Sequence, residues 1–384
     1  MVKNDKKSMY ITVFAAFLAF MGMGVVDPIL PVIAKQIGAK HWEVEMLFSA
    51  YIFTMAFIMI PAGMASNRFG EKKVMVVGLF VVAISAMLCA FSNTIPQLSI
   101  FRSIWGLGNA MFFATAITLL ISMAPDVSAG VGAFETAIGL GLATGPLVGG
   151  FLGQINWRYP FATTSILVFI AFLLAAFFIQ QPKQLHRKSH GLSELVELIQ
   201  YMPFLTVALS AMLYFFGFFT VLAYSPLLLN LSAIELGYVF FGWGLMLAYG
   251  SAKLAHQLES QIQPKIALTA SLLAFALILL AIFLVDHHII RLLLIILSGL
   301  VCGLTNALFT TYVMEISPYE RGITSSAYNL VRWLGAGIAP IASGLISEHI
   351  GATYPYLISC SLVVIGLLPF IKGTTSAVLA DEEV

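Results

Sequence analysis

The chain has 384 residues, of which 60% are hydrophobic and only 10% charged, with a formal net charge of +1. A water-soluble domain carries roughly 25% charged residues, so this composition excludes a surface that mostly faces water. The near-zero charge excludes electrostatic attraction to a nucleic acid as the organising interaction. The lipid bilayer is left as the solvent.

A helix needs about 20 mainly apolar residues to cross the hydrocarbon layer. In chain order such runs fall at 10–33, 46–65, 74–93, 97–123, 131–152 and 159–180, then at 202–229, 237–255, 266–285, 289–314, 323–347 and 354–372. The expected fold is an all-α membrane protein of twelve transmembrane helices. The basic start (Lys3, Lys6, Lys7) precedes an apolar run too long for a leader, so 10–33 is read as a retained first span.

Cytoplasmic loops keep Lys and Arg during insertion. With the N-terminus inside, thirteen of these residues lie on the inner side and four on the outer; Arg102 and Arg332 fall within spans. Both termini are therefore expected in the cytoplasm. The connection after span six divides the chain into a first six-helix bundle (1–182), a linker (183–201), a second bundle (202–372) and an acidic tail (373–384). Within the linker, Leu192, Leu195, Val196, Leu198 and Ile199 read as a short interfacial helix.

The two bundles repeat one another. Gly106-Leu-Gly-Asn109-Ala-Met-Phe112 of span four matches Gly303-Leu-Thr-Asn306-Ala-Leu-Phe309 of span ten, 197 residues later. Asp27-Pro28 of span one resembles Ser225-Pro226 of span seven, and Gly145-Pro146 of span five resembles Ala339-Pro340 of span eleven. An even number of spans per repeat makes the copies parallel, with a site expected near the midplane. The copies differ where charge is placed: Asp27 aligns with Ser225, Arg102 with Gly299, Glu135 with Asn329, and Ile138 with Arg332.

Charges within spans are costly and mark candidate sites. Asp27 and Arg102 fall at similar depth and are paired here. Burial favours the neutral acid at Asp27 and a neighbouring Arg102 favours the carboxylate, so small rearrangements decide whether a proton is held. Glu135 is expected to titrate separately; Asp27 and Glu135 are read as the only acids firmly inside spans. A static ion pair at Asp27 and a water-exposed carboxylate at Glu135 are the plainer alternatives. Arg332 either binds an anionic substrate group or pairs or snorkels elsewhere. Tyr214, Phe215, Phe218, Trp243, Tyr328 and Trp333 either line a lipophilic cavity or serve as packing. Gly141, Gly145 and Gly149, four apart with Gly150 beside them, form a face that another helix can approach closely. Pro146 frees the carbonyl of Leu142 and lets that helix bend. Tight packing and a bending contact between the two halves are both open.

The motifs resemble those of the major facilitator superfamily, and in detail its twelve-span drug:proton antiporter family, over nearly the whole chain. Gly22 to Pro31, with Asp27, is similar to the first-helix motif. Gly63-Met-Ala-Ser-Asn67-Arg68-Phe-Gly70-Glu71-Lys72-Lys73 is similar to the signature loop, Arg102-Ser-Ile-Trp-Gly106 to the arginine motif, and Gly139 to Gly150 to the antiporter motif. Asn67 and Glu71 depart from the family pattern, which has an acid and a base there. The resemblance implies a proton-coupled exporter of amphipathic or lipophilic compounds, with Gly63, Asn67, Arg68 and Gly70 contributing to gating. An exporter or flippase for one metabolite, sugar or lipid is the alternative, and a non-transporting receptor or scaffold a weaker one.

No Walker loop, nucleophile–base constellation or zinc spacing is present, so an enzyme, a cofactor and a metal are not expected. Cys89, Cys302 and Cys360 read as buried apolar residues, and His287-His288 as a solvated turn. The expected partners are a small-molecule substrate, protons and the lipid bilayer of a bacterial cell, with the chain a monomer.

Overall fold

The computed structural model describes residues 3–124, 127–179, 197–259, 261–319 and 321–371. The side chains of Asn67 and Glu135 lie outside that description, as do the tail and most of the linker; residues 197–200 of the expected linker helix are helical. Among the described residues, twelve helices are long and apolar enough to cross a membrane. They run Lys6–Ile37, His41–Ser66, Glu71–Ala90, Ile95–Met123, Thr136–Ile155 and Arg158–Phe178. The second set is Met202–Leu229, Ala233–Leu258, Pro264–Leu284, His288–Ile316, Ala327–His349 and Tyr354–Ile371. These are spans one to twelve below.

The chain forms two compact units, Met1–Ser189 with Asn230–Phe241, and His190–Leu229 with Gly242–Val384. In the first unit span one packs on span five, two on four, and three on four and six. In the second, span seven packs on eleven, eight on ten, and nine on ten and twelve. This is the same pattern in the same order, as a parallel repeat requires. Small residues set the closest approaches. Gly106 lies against the carbonyl of Tyr51, and its repeat mate Gly303 against the carbonyl of Leu247.

Spans one and seven are both interrupted, at matching places. The first helix, Lys3–Gly24, gives way to a 3-10 turn over Asp27–Ile29 and restarts at Leu30–Ile37. Pro28 has no N–H to return to the preceding turn, and it disfavours helical backbone at Asp27. In span seven the helix Met202–Phe219 widens into a π turn at Thr220–Tyr224 before Ser225–Leu229, because Pro226 leaves the carbonyl one turn earlier without a donor. Corresponding breaks in two repeats are the strongest sequence-level pointer to a transporter's binding region.

Span two starts earlier than hydropathy places it, at His41 rather than 46. The Lys40 N–H donates to Glu43 Oε2 at 2.7 Å, closing the helix N-terminus. That shift carries Glu45 inside the helix and overturns the expectation that Asp27 and Glu135 are the only acids within spans. Span two ends at Gly70, whose φ of +91° suits glycine and whose N–H bonds the Ser66 carbonyl at 2.8 Å.

Candidate transport site

In the first unit the break in span one exposes Asp27 to the interior of the bundle. Its side chain is 1% exposed, and Oδ1 has no hydrogen-bond partner among the described residues. Arg102 of span four is fully buried and within electrostatic range of Asp27. Its guanidinium does not clasp the carboxylate. Nε donates to the Leu47 carbonyl at 3.4 Å, and the plane lies over Tyr51 and Trp105, 4.4 and 4.8 Å from the ring centres. Nη1 and Nη2 have no acceptor among the described residues. The cation is held by aromatic faces, a favourable arrangement for a desolvated guanidinium. Four of its five donors stay unengaged.

Three residues that the sequence does not single out complete this cluster. Tyr51 and Asn109 are buried, with the Asn109 amide donating to the Tyr51 hydroxyl at 2.6 Å. Glu45 is fully buried, and neither carboxylate oxygen has a partner among the described residues. The helical spacing Glu45, Ser49, Ile52, Ala56, all buried, was the signal that could have placed it on an inward face.

The second unit treats the equivalent break differently. Ser225, the repeat mate of Asp27, shares a hydrogen bond of 2.7 Å with the Tyr356 hydroxyl. Thr220 bonds Ser343 and Ser359 at 3.2 and 2.9 Å. Neutral hydroxyls close the break that an acidic side chain occupies in the first unit.

Most of the aromatic candidates converge in that second unit. Phe215 stacks on Phe218 with centres 5.6 Å apart, Phe218 meets Trp243 at 5.3 Å, and Phe215 meets Trp333 at 5.8 Å. Phe219, absent from the sequence reading, joins Phe218 and Trp333 at 5.2 and 5.8 Å. Arg332 caps the cluster, 4.9 Å from both Phe215 and Tyr328 and 5.7 Å from Trp333. Its Nε lacks a partner among the described residues. Tyr214 packs its ring on Phe215 at 5.6 Å and donates its hydroxyl to the Cys302 carbonyl at 2.9 Å.

The glycine face of span five packs on span one. A Cβ on Gly141 would sit 2.7 Å from the Phe17 oxygen, one on Gly145 would sit 2.6 Å from the Met21 oxygen, and Gly149 abuts Val25 and Pro28. Gly150 faces Ala233 and Gly237 inside the same unit. In the last turns of the span-two helix, His41–Phe69, Arg68 is exposed and stacks on Phe69 at 5.3 Å, while Gly63 has open space where a Cβ would stand.

Twelve spans in two parallel repeats, each broken at the same point, with buried ionisable groups beside one break, define a secondary transporter rather than an enzyme. The chain belongs to the Major Facilitator Superfamily, whose family model matches residues 12–340. It is 40% identical over 373 residues to the Multidrug efflux protein YfmO of Bacillus subtilis (strain 168), covering 96% of this chain and 94% of that one. It is 23% identical to the Quinolone resistance protein NorA of Staphylococcus aureus (strain MRSA252), over 93% of this chain and 94% of the relative. Among solved structures, a bacterial homologue of the human lysosomal transporter Spinster shares the fold with a TM-score of 0.84 at 14% identity, covering 98% of both chains. A D-xylose-proton symporter does so at 0.78 and 16%, over 95% of this chain and 96% of that one.

Proposed function

We propose that this chain is a proton-coupled exporter of amphipathic or lipophilic compounds, working by alternating access as a monomer in a bacterial cell membrane with both termini cytoplasmic. The likeness to YfmO, described as a multidrug efflux protein, supports the substrate class. The observation that carries the coupling is the buried carboxylate of Asp27, with an oxygen lacking a partner and Arg102 in electrostatic range. A charge there gains little from solvation, so its protonation depends on the nearby cation and on whatever fills the site. A membrane potential supplies roughly 2.3 kcal/mol per charge per 100 mV, enough to reset such a group in each cycle. The aromatic cluster from Phe215 to Trp333 and Trp243 offers the apolar, polarizable contact that lipophilic compounds need. A second reading, an exporter of one anionic metabolite, draws support from Arg332, whose Nε is without a partner among the described residues.

The test is flux of a cationic dye in proteoliposomes with an imposed pH gradient. Asp27→Asn, which mimics the protonated acid at constant size, abolishes accumulation and leaves downhill exchange; Glu135→Gln acts in the same direction. If both variants accumulate dye as the parent does, a facilitated carrier or another coupling ion becomes the account.

A further inference from the structure

The acid that hydropathy hides is the one with least to stabilise a charge. Glu45 stands one turn inside span two, on the face that carries Ser49, Ile52 and Ala56 into the bundle. It is fully buried and both oxygens are without a hydrogen-bond donor among the described residues. Asp27 lies within electrostatic range of Glu45, and Arg102 within range of Asp27. The cation acting on this pair is Arg102 of span four, on which Tyr51 of span two and Cys89 of span three also act. The Glu135 side chain of span five is outside the described residues.

Asp27 is thus the group in electrostatic range of both the second acid and the base. Arg102 can offset one carboxylate, and Asp27 is within its electrostatic range. A second carboxylate, buried and lacking donors, has only a proton or a bound cation as counter-charge. Two buried carboxylates within electrostatic range of each other disfavour double ionisation, and one proton held on the pair offsets the second charge.

We propose that Glu45 is a second proton-carrying residue of the transport cycle, sharing one exchangeable proton with Asp27, and that the charge which replaces this proton is that of a cationic substrate. In the loading step one carboxylic O–H bond breaks and its proton passes to water, while the substrate's positive charge takes over as counter-ion to the carboxylate. In the return step water delivers one proton, the O–H bond re-forms, and the cation is released. The cluster keeps the same net charge throughout. This deepens the exporter reading and rests on it.

The test uses the full chain in proteoliposomes, ethidium as the probe, and infrared spectra of the same preparations in acidic and alkaline buffer. The parent is expected to accumulate ethidium on an imposed pH gradient and to show a protonated-carboxyl band. Glu45→Gln is expected to lose tenfold or more of the accumulation, to retain ethidium counterflow, and to lack the band. Glu45→Asp, which keeps an acid one methylene shorter, restores most of the accumulation and shifts the band. It also serves as the reporter should the amide variant fail to fold. A parent indifferent to the gradient sinks the exporter reading and the transport role of Glu45 with it, while the infrared arm still reads whether Glu45 holds a proton. A parent that responds, beside a Glu45→Gln variant that accumulates equally well or keeps the band, overturns the assignment of Glu45 alone.

Discussion

The guanidinium of Arg102 lies 4.4 Å from the centre of the Tyr51 ring, and the hydroxyl of the same tyrosine accepts a hydrogen bond of 2.6 Å from Asn109. Span two thus holds the cation of span four through a π face and is itself fixed by a second span-four residue one helical stretch further on. A planar guanidinium can keep both this stacking and the Nε bond to Leu47, whereas an ammonium cannot.

Replacing Arg102 with Lys keeps the charge and loses the stacked plane. Gradient-driven transport should fall roughly tenfold, equivalent to about 1.4 kcal/mol. Tyr51→Phe keeps the ring and removes the acceptor for Asn109, costing about 1 kcal/mol of stability. Its effect should appear as an earlier thermal transition with transport largely kept. Equal transport by Arg102→Lys and parent would show that charge alone matters at that position.

Glycine positions offer a paired test of packing. A methyl group on Gly145 meets the Met21 oxygen at 2.6 Å and the Gly24 backbone at 3.0 Å, atoms that cannot swing aside. Gly145→Ala should therefore destabilise by ~1–3 kcal/mol through overpacking. Gly63→Ala meets nothing within 4 Å and should be neutral or slightly stabilising, since alanine is the better helix former. Melting of the two purified variants, followed by scanning fluorimetry, checks the contrast. A normal transition for Gly145→Ala would mean that spans one and five can separate at little cost.

The aromatic cluster should govern which compounds are carried and leave coupling to protons unchanged. Phe215 touches Phe218, Trp333 and Arg332, so Phe215→Ala removes the centre of the group. Aromatic contacts contribute roughly 0.5–1.5 kcal/mol each beyond area burial. Half-saturating concentrations for planar lipophilic dyes should rise by about twofold to tenfold, to different extents for different dyes, with protons moved per dye unchanged. A uniform loss across all substrates would assign Phe215 to the core.

The amino-acid sequence by itself determined the twelve spans, their parallel repeat and the matching prolines of spans one and seven. Each of these rests on local quantities: apolar run length, residue spacing, and prolines that lack a donor. It also marked Asp27 and Arg102, because a charge in the middle of an apolar run is visible in one dimension. Glu45 was not legible in the same way. It sits near a span end, where hydropathy is ambiguous, and the cap between Lys40 and Glu43 decided that it lies inside. Only the tertiary structure decided that the Arg102 guanidinium rests on Tyr51 and Trp105 without clasping Asp27, and that Phe215 meets Trp333 and Phe218 meets Trp243 while the Tyr214 hydroxyl goes to Cys302. In a chain with 30 phenylalanines, composition cannot say which rings converge. That follows from the rotation of each helix about its axis, and the rotation is set by close approaches such as Gly106 on Tyr51 and Gly299 on Trp243, between residues dozens of positions apart.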